Sequence, residues 1–158
     1  MRAAMFYGPG ELRLEDIGST EPAPGELLVE VRAAATCGTD LKSYRRGHPK
    51  LFPTLPSRFG HEFAGVVTAV GDGVDGFVVG DRVTAANTVP CGHCWACIRR
   101  RESLCENLEF LNGAFAEEVV IPAAIVARNT YTLPDDLDFA DAAPLEPLAT
   151  VVHGMAET

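Results

Sequence analysis

Apolar and polar positions in this 158-residue chain rarely keep one period for long. Over about the first 35 residues, "RAAMFY", "ELRLEDI" and "ELLVEVRAAA" predict short strands. The turn formers Gly8-Pro9-Gly10 and Pro22-Ala23-Pro24-Gly25 separate them. "CGTDLKSYRR" has a short helical character, and a proline-rich loop, "GHPKLFPTLPSRFG", follows it. "HEFAGVVTAV" and "DRVTAA" predict two further strands, and "AFAEEVVIP" and "AIVARN" two more. Residues 91 to 105 show no useful period. From roughly Phe139 to the end, Leu148, Val151, Val152 and Met155 recur at three and four, which predicts a helix. Many short strands with frequent turns predict a mainly β fold, a closed or nearly closed barrel. With no repeat and no internal linker, one domain is expected over residues 1–158.

Composition narrows the class without naming it. Hydrophobic residues make up 47% and charged residues 22%, which is globular composition. The net charge of −9 argues against nucleic acid or an anionic membrane surface as partner. The clusters Arg45-Arg46 and Arg99-Arg101 are too short to reverse that and read as solvated faces. No apolar run approaches the ~18 residues of a bilayer span. "MRAAMFYGPG" lacks the apolar stretch of a secretory signal, so a cytoplasmic location is expected.

The cysteines change the picture. There are five, and four fall in Cys91-x2-Cys94-x2-Cys97-x7-Cys105. In a reducing compartment this density favours metal over disulfides. Four closely spaced thiolates wrap one tetrahedral zinc and leave no open position, so the site is structural. Arg99, Arg100 and Arg101 lie inside this loop, where they could offset the surplus negative charge. An iron–sulfur cluster is the competitor, but the bacterial ferredoxin run continues x3-C-P, whereas here seven residues intervene and Glu106 follows. His93 could substitute as a ligand, although four cysteines suffice.

Cys37 remains, in "CGTD", and 24 residues on comes His61 in "GHEFAGVVTAVGDGV". Alone, His61 reads as a structural histidine. Together with Glu62 and the distant Glu146 of "PLEPLA", it makes a donor set for a catalytic zinc, which needs about three protein ligands and an open position. One thiolate, one imidazole and one carboxylate leave the site formally neutral and the metal a good Lewis acid. Adjacent strand residues point to opposite faces, so His61 and Glu62 reach one ion only if Gly60 relaxes the backbone. Otherwise Glu62 lies behind the ligands or alternates with Glu146, which also reads as a helix-start carboxylate.

"GHE-x2-G-x5-G-x2-V" from Gly60 to Val74, "CGTD", the four-cysteine lobe, "GDRV" at 80–83 and "LEPLATVVHG" at 145–154 together resemble the zinc-dependent medium-chain dehydrogenases. The polyol and threonine dehydrogenase branch is the nearest in flavour, and the likeness covers essentially the whole chain. It implies a GroES-like β-barrel catalytic domain with two zinc ions. The catalytic one falls to Cys37, His61 and Glu62 or Glu146; the structural one falls to Cys91, Cys94, Cys97 and Cys105, in a lobe over about 88–108. Thr39 then takes the role of the hydroxyl that hydrogen-bonds the alcohol and relays its proton, and Asp40 that of the carboxylate orienting His61. Position 42 departs from the pattern, since many members place a relay histidine there and this chain has Lys42. Tyr44 and Phe59 are candidate pocket aromatics, while His48 and His153 are given no role.

"AVGDGVDGFV" spells a dinucleotide fingerprint with Gly71, Gly73 and Gly76. "FVVGDRV" follows, strand-like, so no helix N-terminus receives a pyrophosphate, and the glycines are expected to reverse the chain between barrel strands. In the family NAD(P) is held by a Rossmann domain that begins after the "LEPLATVVHG" helix; residues 145–158 are expected to lead into it, and the chain stops short of it. The implied activity is oxidation of a small alcohol or polyol, with the isolated chain inactive. The choice of NAD or NADP stays open, and association through the C-terminal helix is expected. The alternative is a non-catalytic, zinc-stabilised scaffold, which has no use for Cys37, His61 and Glu146 as a set.

Overall fold

The computed structural model describes residues 1–156. β1 (Arg2–Gly8) and β2 (Glu11–Asp16) form a hairpin, and β4 (Ser57–Arg58) pairs with the other edge of β1. The larger sheet has the order β10-β6-β5-β3-β9. Its members are β3 (Leu27–Ala35), β5 (Glu62–Val70), β6 (Arg82–Ala85), β9 (Glu118–Ile121) and β10 (Thr130–Thr132). β7 (Thr88–Val89) and β8 (Glu109–Phe110) make a small ribbon at the root of the cysteine segment. Among the described residues every ladder is antiparallel, so no βαβ unit is present.

Residues 113–117 stitch the two main sheets together. Ala116 bridges Ala3, the Ala4 N–H donates to Phe115 O, and the Phe115 N–H donates to Phe59 O. Inside lie Leu27, Val29, Phe63, Val67, Val83, Val119, Ile121 and Ile125, each fully buried. All but Ile125, which α2 supplies, lie on β3, β5, β6 and β9; Ala64 on β5 is buried as well, in a separate cluster with Leu133, Ala142 and Ala143. A second cluster of Phe6, Leu51, Phe52 and Phe59 fills the end near β1, with Phe52 and Phe59 stacked at 5.4 Å.

α1 (Gly38–Arg46) is the short helix expected after Cys37. The strand expected in "AIVARN" is instead α2 (Ala123–Asn129). Ile125 and Val126 gave that stretch its β character, but the carbonyl of Pro122, the N-cap, accepts the Ile125 and Val126 N–H groups, and Ala123, Ala124 and Ala127 favour helix. The expected tail helix is interrupted. α3 (Phe139–Ala142) ends before Pro144, which lacks the N–H to continue it, and α4 (Leu145–Ala156) follows. Leu148, Val151 and Val152 on α4 are more than half exposed. Among the described residues no helix is long and apolar enough to cross a membrane.

The glycines of "AVGDGVDG" join antiparallel β5 and β6, with no helix between them. Gly71 packs directly on the 23–26 turn, where a Cβ would stand 2.0 Å from the carbonyl oxygen of Ala23. Its N–H donates to Glu26 O.

Candidate metal centres

The cysteine lobe is built from two 3-10 turns, 97–99 and 102–104, with Arg100 left-handed between them at φ 59°. They fold the chain so that four sulfurs face one point. Cys94–Cys97, Cys105–Cys91, Cys94–Cys105 and Cys91–Cys97 stand 3.5, 3.6, 3.9 and 4.0 Å apart. Sulfurs at the usual ~2.3 Å from a tetrahedral zinc are separated by about 3.8 Å, so the set fits such an ion. None of the five cysteines is in a disulfide. Backbone N–H groups of Cys91 and Asn107 donate to Cys105 Sγ. Those of Cys97 and Glu106 bring the Cys94 thiol down to about 6, while burial and the neighbouring sulfurs push Cys97 up to about 12. Arg99 does not turn to the sulfurs; it stacks on Trp95 at 4.5 Å. His93 Nδ1 lies 2.9 Å from Cys91 O and stands outside the set.

The second group forms where α1 begins. Cys37 is the N-cap of α1; its sulfur accepts the Thr39 N–H at 3.2 Å, and the Cys37 N–H donates to Asp40 Oδ2 at 3.0 Å. This reciprocal cap fixes both side chains. Asp40 Oδ1 lies 3.2 Å from His61 Nδ1, and neither buried atom has another partner. His61 Nε2 is thereby aimed at Cys37 Sγ, 3.3 Å away.

His61 precedes β5, and Gly60 at φ +86° turns the chain so that His61 and Glu62 both join the group. Donor atoms of Cys37, His61 and Glu62 lie within 4.8 Å of one another. Glu62 is 4% exposed, and among the described residues no lysine or arginine pairs with it. A buried carboxylate without a cation, beside a thiol and an imidazole, suits a bound metal ion. Burial pushes the Glu62 carboxyl and the Cys37 thiol up from their ordinary pKa values, making both weaker acids. Burial works against the charged forms of Asp40 and His61 too, but their contact overrides it, lowering Asp40 and raising His61.

Glu146 stands on the first turn of α4, outside that tight set, and its carboxylate accepts the Thr150 hydroxyl at 3.1 Å. It is near enough for its charge to raise His61 and Glu62 further. Beside it an apolar cavity of about 220 Å³ is lined by Ala85, Ala86, Tyr131, Leu145 and Ala149. Those residues carried no chemical signal in the sequence; only the meeting of β6, β10 and α4 reveals them. Tyr44 and Phe59 lie elsewhere, Tyr44 donating to Gly10 O and Phe59 packed among aromatics. Thr39 and Lys42 are exposed on α1.

A mainly antiparallel β domain thus carries two groups that could each hold a metal ion, one of four thiols and one of cysteine, histidine and carboxylate. The chain belongs to the alcohol dehydrogenase GroES-like domain family, whose profile matches residues 23–135. It is 35% identical to sorbitol dehydrogenase of Bacillus subtilis (strain 168), covering 100% of this chain and 45% of the relative. It is 38% identical to L-threonine 3-dehydrogenase of Idiomarina loihiensis, covering 89% and 41%. The crystal structure of an alcohol dehydrogenase from Escherichia coli CFT073 complexed with NADH superposes with a TM-score of 0.82 at 32% identity, covering 99% and 46%. The chain therefore spans about half the length of the curated relatives it matches.

Proposed function

We propose that this chain is the zinc-binding catalytic part of an NAD(P)-dependent dehydrogenase acting on a small alcohol or polyol. The convergence of Cys37, His61 and Glu62, apart from a four-thiol cluster, carries this reading. A scaffold requires the four-thiol cluster alone. Two zinc ions per chain follow: a structural one on Cys91, Cys94, Cys97 and Cys105, and a catalytic one on Cys37, His61 and Glu62, with Glu146 as the alternate carboxylate. A zinc ion in the second group supplies a Lewis acid for the substrate oxygen.

The chain's own residues do the rest. Asp40 holds the Nδ1 proton of His61 and keeps Nε2 free as a donor atom. Thr39 accepts the substrate hydroxyl proton and passes it to solvent. The apolar cavity beside Glu146 limits water on that side of the group. NAD(P) is held by residues other than these, so the 158 residues alone are not expected to reduce it. The exposed face of α4 serves association, read out as a mass above one chain in light scattering. Unpaired thiols suit a reducing compartment such as the cytoplasm.

Cobalt substitution tests the open site. With Co²⁺ in place of zinc, ethanol or sorbitol is expected to shift the visible bands that Cys37→Ser abolishes. Bands indifferent to both the alcohol and the Cys37 substitution would contradict it.

A further inference from the structure

One face of α1 is unaccounted for by the metal chemistry. Asp40 and Ser43 bury the inner face of the helix. On the outer side Gly38, Leu41, Lys42, Arg45 and Arg46 border a cavity of about 230 Å³. All three cations are exposed, and among the described residues none forms an ion pair. Arg45 and Arg46 complement the helix C-terminus, but Lys42 sits mid-helix and owes nothing to the dipole. Three unpaired cations in one place stand out in a chain of net charge −9.

Their placement relative to Thr39 gives them a use. Thr39, Lys42 and Arg46 follow i, i+3, i+7, so they share a stripe along the helix. That stripe runs from the residue beside Cys37 outward. Guanidinium and ammonium groups side by side suit a phosphate, which arginine binds through two donors at once and lysine as a point charge.

We propose that Lys42, Arg45 and Arg46 form a phosphate subsite, and that the alcohol oxidised here carries a phosphate monoester. This rests on the reading of Cys37, His61 and Thr39 as the reacting end. The alcohol would have a chain of roughly four to six carbons, matched to the ~5–10 Å that three to seven helical residues rise. The cations hold its far end and present the hydroxyl to Thr39. Association is expected to weaken with salt, as for any exposed ionic contact.

The test is titration of the zinc-loaded 158-residue chain by calorimetry and amide NMR. The probes are sorbitol 6-phosphate, sorbitol, inorganic phosphate and NADP⁺. Sorbitol 6-phosphate is expected to bind at least tenfold tighter than sorbitol and to shift the amides of residues 42–47. In K42Q/R45Q/R46Q, with circular dichroism unchanged, that advantage is expected to fall within twofold. Equal binding of sorbitol and its phosphate, or an advantage that survives the triple variant, would overturn the proposal. So would displacement of inorganic phosphate from these amides by NADP⁺ while sorbitol 6-phosphate leaves them unmoved, since the patch would then serve the dinucleotide. Zinc content is measured on the same sample. Fewer than two ions per chain with the sugar-phosphate preference intact supports the subsite and removes the metal reading; two ions and no preference does the reverse.

Discussion

Gly60→Ala tests how the barrel delivers His61 and Glu62 to one point. At φ +86° an alanine incurs the left-handed penalty, about 1–2 kcal/mol. Its Cβ would also stand 2.4 Å from Phe115 Cδ1 and 2.8 Å from the Phe115 backbone nitrogen. Because the nitrogen donates to Phe59 O within the seam between the sheets, the contact cannot be relieved by a rotamer change alone. Overpacking of this kind adds roughly 1–3 kcal/mol. Gly76 is the matched control, with φ +85° and open space where its Cβ would go. With a urea slope of about 2 kcal/mol per molar, Gly60→Ala should lower the midpoint by roughly 1–2.5 M and Gly76→Ala by roughly 0.5–1 M. Metal analysis of the folded variants should show Gly60→Ala losing the ion assigned to Cys37 and keeping that of the lobe. Equal midpoints for the two variants, with metal content unchanged, would show that Gly60 does not set the placement of His61 and Glu62.

Other outcomes follow from separate parts of the fold. Arg82 donates to the carbonyls of Pro134, Asp135 and Leu137 and lies over the Phe139 ring at 4.4 Å, so it ties the approach to α3 onto β6. Arg82→Gln should cost about 2 kcal/mol in urea unfolding and speed amide exchange over 135–142; unchanged exchange would count against the tie. Trp95, the sole tryptophan, sits on the cysteine lobe, so chelation should change its fluorescence and one equivalent of zinc per chain should restore it. A signal blind to chelator would place the metal elsewhere. Glu117 accepts from the Arg2 N–H and guanidinium, which hold its carboxyl below the usual glutamate value. The stability it adds is present above the unfolded value, near pH ~4.3, and fades as pH falls through the folded one. Glu117→Gln should thus be the less stable protein at neutral pH, and the gap in thermal midpoint should close in acid.

Legibility in the sequence followed the reach of the signal. The lobe was readable because all four cysteines lie within one short segment, which brings their sulfurs together. The β class was readable from the many short strand-like runs and from the turn formers that separate them. α2 was misread because Ile125 and Val126 are β-branched, and the pull of Pro122 and three alanines was outweighed in a window of seven residues. The group around Cys37 was only half legible. Its residue types stood out, but whether His61 and Glu62 could share a point depended on the φ of Gly60, which no pattern reports. The cavity beside Glu146 is assembled from segments at 85–86, 131 and 145–149, and its alanines advertise nothing locally.

The proposed function needs two chemically distinct metal sites in this chain. Zinc content per chain, measured on the purified protein and on the Cys37→Ser and Cys97→Ser variants, tests it most directly. Two ions are expected in the parent protein and one in Cys37→Ser, with the Trp95 signal of the lobe intact. In Cys97→Ser the lobe ion and that signal are expected to be lost. A single ion in the parent protein, retained in full by Cys37→Ser, would rule out the second site and leave a zinc-stabilised scaffold.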